Sequence, residues 1–153
     1  MSNTKKRWSV PTWMLFHGMA EKIDERFFKN NKEEVLNIIK MICDNLPCPY
    51  CRVNASKYIK KTMINVNTKE DLKIFLYTFH NHVNKKLKKK HFEKSILNKY
   101  KNINMLTAYK WFNNKFYGEY VVSHDFNKWR RNLVKDKVTT FFKDNWRKMF
   151  INQ

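Results

Sequence analysis

Two cysteines two residues apart, Cys48 and Cys51, bracket Pro49 and Tyr50. Such a pair can close a small disulfide whose sulfurs exchange with other thiols, and it can equally supply two of the four ligands of a zinc ion. Cys43 precedes the pair and His80 and His82 follow it, which completes a candidate zinc set. The spacing Cys43-x4-Cys48-x2-Cys51 lacks the second paired knuckle of common zinc sites. On these residues alone the redox, metal and incidental readings all stay open. Trp13 and His17 stand four residues apart on a predicted helix and share a face. That face offers a stacking surface and a hydrogen-bonding edge to a planar ligand, or it is simply a buried indole beside a satisfied core histidine. The run from His80 to Lys89 (HNHVNKKLKK) also has two readings. It is a polar helix surface with solvated lysines, or it sets His80 and Asn84 against a ring system with lysines on a diphosphate.

Helical periodicity places these groups. Thr12 is read as the cap of a helix over residues 13–28, with Leu15, Phe16, Met19 and Ile23 at helical spacing. Asn30 and Asn31 break it, and Glu33 and Glu34 open a second helix to residue 42. Pro49 suits the first turn of a third helix, residues 49–61, because its missing N–H costs nothing there. Cys48 then falls at the helix N-terminus, where the dipole lowers a thiol pKa. Thr68 and Asp71 form a capping box for a fourth helix over residues 69–88. Leu72, Phe75, Leu76, Phe79, Val83 and Leu87 make its apolar stripe, with His80 and Asn84 on the face beside it. A short helical turn follows at residues 93–99. Four such helices predict a compact all-α bundle.

The chain has 153 residues, of which 42% are hydrophobic, enough for one core plus an extension. Two glycines and three prolines are too few for the turns of a strand-rich fold. Residues 103–153 hold half of the aromatic side chains, so this third of the chain is no disordered tail. Ser123 is a candidate cap for a helix bearing Phe126, Trp129 and Leu133. Val138, Phe141, Phe142, Trp146 and Met149 fit another. This extension is expected to pack on the core or on a second subunit. The net charge of +19 attracts nucleic acid, acidic proteins or membrane surfaces. It is carried mostly by lysine, in a chain rich in asparagine, as an A/T-rich genome would also encode. No apolar segment follows the basic start, and no run of about 18 apolar residues occurs, so neither a secretory signal nor a membrane span is expected.

Three separated blocks resemble the Erv/ALR family of FAD-linked sulfhydryl oxidases. They are the tryptophan-rich opening Trp8…Trp13…His17, then Cys48-Pro49-Tyr50-Cys51, then His80-Asn81-His82-Val83-Asn84…Leu87-Lys88-Lys89. The resemblance covers residues 8–92 and is closest to the short viral members. Ser9 stands where the family commonly has glycine. The resemblance implies a four-helix bundle with a short fifth helix and FAD at the bundle mouth, in a core of residues 1–101 followed by a helical extension, 102–153. It implies FAD contacts from Trp8, Trp13, His17, His80, Asn81, Val83, Asn84, Leu87, Lys89 and Phe92, with Tyr100 the nearest candidate for a further aromatic. It also implies a redox disulfide Cys48–Cys51 abutting the flavin ring, a homodimer, and thiol-containing protein substrates. Electrons would pass to FAD and then to O2, giving H2O2, in host cytoplasm or virion. No shuttle cysteine pair exists, so substrate is expected to meet Cys48 directly, with Cys43 a buried free thiol. The competing expectation is a basic nucleic-acid-binding module with a Cys/His zinc site, built on the lysine run and the aromatic extension.

Overall fold

The computed structural model of the chain describes residues 3–118 and 127–151. Every regular element among them is helical: α1 (Asn3–Lys22), α2 (Glu25–Asn30), α3 (Lys32–Asp44), α4 (Pro49–Thr62), a 3-10 turn (Met63–Asn65), α5 (Lys69–Lys86), a longer 3-10 segment (Lys94–Asn102), α6 (Met105–Phe116) and α7 (Lys128–Met149). Helix α1 packs on α5, on α6 and on the long 3-10 segment, and α3 packs on α4. Leu15, Phe16 and Met19 of α1 meet Ile39 and Ile42 of α3, Ile59 of α4, and Leu72, Leu76 and Phe79 of α5 in one buried cluster. The all-α expectation holds, and the helical bundle carries its core along the predicted stripes.

The first helix differs from the sequence reading. It starts ahead of Trp13 and contains Pro11, and Thr12 is no cap. The Thr12 hydroxyl is buried and donates to the Trp8 carbonyl at 2.7 Å. An interior proline costs a helix roughly 3 kcal/mol; burial of Trp8 (5% exposed) and of Leu15 and Phe16 on the same helix is the packing that offsets it. The far end also differs, because α1 stops before Asp24. The Asp24 carboxylate accepts from Phe27 N–H at 2.8 Å, caps α2 and splits the expected helix in two. The other starts follow local rules. Pro49 occupies the first turn of α4 behind Cys48, and Thr68 and Asp71 close a full capping box on α5. Lys88 at φ 54 terminates α5 in the left-handed region.

The extension packs on the core. Met105, Phe112 and Phe116 of α6 and Val138, Phe142 and Met149 of α7 join the same cluster as Phe16 and Ile42. At Gly18 a Cβ would lie 2.8 Å from Met105 Sδ and 2.9 Å from Ile103 Cδ1, so the missing side chain lets this segment sit on α1. The two helices expected beyond residue 126 are partly one: Trp129, Leu133, Val138, Phe141, Phe142, Trp146 and Met149 all lie on α7. No glycine or proline interrupts them. The suggested cap Ser123, with Phe126, lies outside the described residues. Two hydrogen bonds hold α7 near its ends: Arg130 Nε donates to Asn45 Oδ1 at 2.7 Å, and Asp24 N–H donates to the Met149 carbonyl at 2.7 Å. No helix among the described residues is long and apolar enough to cross a membrane.

Candidate active site

A cavity of about 440 Å³ opens between α1, α4, α5 and the 3-10 segment. Its size suits a small-molecule or cofactor site. Trp8, Trp13, Phe79, Phe92 and Tyr100 give it flat apolar walls. Cys51 forms part of the wall and Cys48 does not. The two are joined in a disulfide, and Cys48 is the N-cap of α4, with Cys51 N–H directed to its sulfur at 3.2 Å. The short Cys-Pro-Tyr-Cys connection therefore gives the sulfurs different surroundings. One faces the cavity, and the other sits at the helix mouth.

The aromatic walls are ordered by stacking. Trp13 lies parallel to His80, with 4.0 Å between ring centroids and 5° between planes. Phe92 meets His80 edge-on at 5.1 Å, and His17 stacks on Tyr100 at 4.8 Å. His17 Nε2 and His80 Nδ1 share a hydrogen bond at 3.0 Å. Burial lowers both imidazoles, His17 to about 3 with help from His80 and Lys99, and His80 to about 4 with help from Lys99 and Lys89. Both rings are therefore neutral at pH 7. His17 Nδ1 is buried with no partner. The one arrangement that leaves no buried N–H unpaired puts the His17 proton on Nε2, pointing at His80 Nδ1. His80 then carries its own proton on Nε2 and can donate to a ligand.

The structure brings most of the expected residues together. Trp8, Trp13, His80, Val83, Asn84, Leu87, Lys89, Phe92 and Tyr100 all line the cavity. Asn84 is 3% exposed, and its Nδ2 has no hydrogen-bond partner. A buried amide donor left unpaired costs about 1–3 kcal/mol, so it marks a place for an acceptor. Two expected residues stand back from the wall. His17 lies behind His80, and Asn81 is turned to the chain itself. Asn81 Nδ2 donates to the Phe92 carbonyl at 3.0 Å, and Phe92 N–H donates to Asn81 Oδ1 at 2.8 Å. This two-point clamp, with Tyr77 OH donating to the same carbonyl at 2.7 Å, holds the Phe92 ring against His80.

Some lining residues escaped the sequence reading. Lys90 and Lys99 join Lys86 and Lys89 around the cavity, and Lys99 Nζ sits 5.0 Å from the Tyr100 ring centroid. Adjacency to Tyr100 was the available signal for Lys99. Phe79, Asn54 and Ala55 also line the wall. His82 tilts against Tyr58 at 4.6 Å. Cys43 reaches the cavity too, as a free thiol 1% exposed, and burial pushes its pKa well above the usual thiol range. Among the described residues no group of three His, Cys, Asp or Glu side chains is arranged to hold a metal ion.

A model of the Erv1 / Alr family matches residues 10–105. The chain is 32% identical over 83 residues to an FAD-linked sulfhydryl oxidase of African swine fever virus (isolate Pig/Kenya/KEN-50/1950), covering 54% of this chain and 70% of the viral protein. It is 29% identical over 82 residues to the mitochondrial FAD-linked sulfhydryl oxidase ERV1 of Saccharomyces cerevisiae, covering 54% of this chain and 43% of the yeast protein. No solved structure matches the chain. The chain belongs to the Erv1 / Alr family.

Proposed function

We propose that the protein is an FAD-linked thiol oxidase that forms disulfide bonds in protein substrates. The observation that carries this reading is the position of Cys51, in the wall of an aromatic cavity that also holds the unpaired Asn84 amide and several lysines. The residues fit FAD by chemistry. Flat walls from Trp13, His80, Phe92 and Tyr100 suit a ring system, the Asn84 and His80 donors suit its acceptor atoms, and Lys89 with its neighbours suits a diphosphate. When bound, FAD supplies a two-electron acceptor for thiols that O2 can reoxidise, giving H2O2.

The chain's own steps follow from the two sulfurs. A substrate thiolate attacks Cys48 Sγ, a new intermolecular S–S bond forms, and Cys51 leaves as a thiolate. A second substrate thiolate attacks the substrate sulfur of that mixed disulfide and releases Cys48. The substrate has lost two electrons and two protons, and the cysteine pair has gained the electrons. Cys51, in the cavity wall, is positioned to hand them on. His17 and His80 stay neutral and keep the wall free of an extra cation near the thiolate. We further propose a homodimer, a core of residues 1–101 with 102–153 as its extension, and a working place in host cytoplasm or virion. The alternative, a nucleic-acid-binding module with zinc, gains nothing from the family match.

Purified protein should be yellow and should consume oxygen with a dithiol. Cys51→Ser should abolish turnover, because Cys48 alone holds no disulfide for a substrate thiolate to attack. Colourless protein that takes up no FAD on reconstitution would sink the reading.

A further inference from the structure

The family match ends at residue 105, yet a helix from beyond it reaches the redox loop. Arg130, in the first turn of α7, donates to Asn45 at 2.7 Å. Asn45 ends α3 and holds the Met41 carbonyl at 2.7 Å, and only Leu46 and Pro47 separate it from Cys48. Helix α7 therefore begins beside the loop that carries the attacked sulfur. Large apolar side chains there stay in solvent: Trp129 is 73% exposed, and on α4 Tyr50 is 61% and Val53 55% exposed. Elsewhere on α7 Val134, Val138, Phe141 and Phe142 are buried, so Trp129 is not part of the seam that fixes the helix. The surroundings are basic. Helix α4 carries Arg52, Lys57, Lys60 and Lys61 and no carboxylate, and the first half of α7 sets five basic residues against Asp136.

We propose that the start of α7 and the exposed face of α4 form a docking surface for one substrate class: acidic polypeptide segments with an aromatic or aliphatic residue near the reacting cysteine. This rests on the thiol-oxidase reading and specifies its substrate. Charge complementarity selects the occupant. Lysine and arginine on both helices attract carboxylates and repel basic segments, and the field speeds encounter. Trp129 and Tyr50 supply the rigid apolar contacts on which weak peptide affinity concentrates. A surface this close to a redox disulfide serves a partner that brings a thiol, which nucleic acid does not.

The test uses the full chain and short fluorescent peptides in which the cysteine is replaced by serine, so binding is read without chemistry. An acidic peptide with a tryptophan beside the serine should bind about tenfold tighter than its basic counterpart, weaken with salt, and lose about tenfold affinity to Trp129→Ala. Trp129→Phe should restore most of it. With the cysteine restored, Trp129→Ala should raise KM for the acidic peptide and leave oxidation of dithiothreitol unchanged. Equal binding of acidic and basic peptides, or no effect of Trp129→Ala, overturns the proposal. So does tighter binding of a single-stranded oligonucleotide that Trp129→Ala weakens. Wild-type protein inactive on dithiothreitol would count against the oxidase reading, while anisotropy would still decide the peptide preference.

Discussion

Phe112→Ala should loosen the redox core from a distance. Phe112 sits on α6, fully buried, stacked on Phe116 with centroids 4.8 Å apart and edge-on to Tyr117 at 5.7 Å. Removing a buried phenyl ring costs about 3–5 kcal/mol. Phe112 belongs to the same apolar cluster as Ile42 and Cys43, so that loss should reach α3 rather than stay in the extension. Cys43 reports it. Its thiol is free, 1% exposed where it borders the cavity, and held protonated by burial, so it reacts slowly until the core opens. At one decade per roughly 1.4 kcal/mol, labelling of Cys43 by a thiol reagent should accelerate on the order of 10²–10⁴-fold. The urea midpoint followed by helical circular dichroism should fall in the same single transition. Asn114→Ala, on the exposed side of α6, should change stability by less than about 0.5 kcal/mol. If Phe112→Ala melts part of the helical signal and leaves Cys43 labelling at the wild-type rate, the extension is a separate unit and the continuous-core argument is wrong.

Two further outcomes follow from the site. Asn84→Ala removes the unpaired donor in the cavity wall and should weaken FAD binding by about tenfold, measured by flavin fluorescence quenching on titration of apoprotein. The pH response comes from the histidine pair. The fold holds His17 near about 3 and His80 near about 4, against an ordinary 6.5, so below about pH 6.5 the unfolded chain takes up protons that the fold refuses. Stability should therefore fall as pH drops from about 6.5 towards about 4, and His17→Asn/His80→Asn should flatten that limb in urea midpoints taken between about pH 7 and about pH 4.5.

What could be read before folding was local. Thr68 and Asp71 announce a capping box because both partners lie within one turn, and Pro49 marks a helix start by its own geometry. The apolar stripe of α5 lies where its period puts it. Thr12 misled for the opposite reason. Its side chain and the preceding Pro11 suit a helix start locally, and burial of Trp8, Leu15 and Phe16 against the rest of the chain carries the helix through that point. At the site, residue types pointed to the right wall but not to its layers. The four-residue step from His80 put Asn84 on the cavity face, but the resemblance put Asn81 there as well, and Asn81 instead holds a peptide eleven residues on. His17 behind His80 is likewise a product of packing.

Helix α7 is pinned near both ends, at Arg130 to the redox loop and at Met149 to the junction between α1 and α2. At about 1.5 Å per residue these anchors lie roughly 28 Å apart along the helix axis. The helix thus works as a gauge block whose length and phase are both set. One inserted residue between the anchors turns the far end by about 100° and lengthens it by about 1.5 Å, so one anchor must be given up. A whole-heptad insertion nearly restores the phase but overshoots by roughly 10 Å. Much of α7 faces solvent and should tolerate substitution freely, yet its residue count should tolerate no change. Outside its buried seam, Arg130 and Trp129, length rather than identity is what this part of the chain encodes.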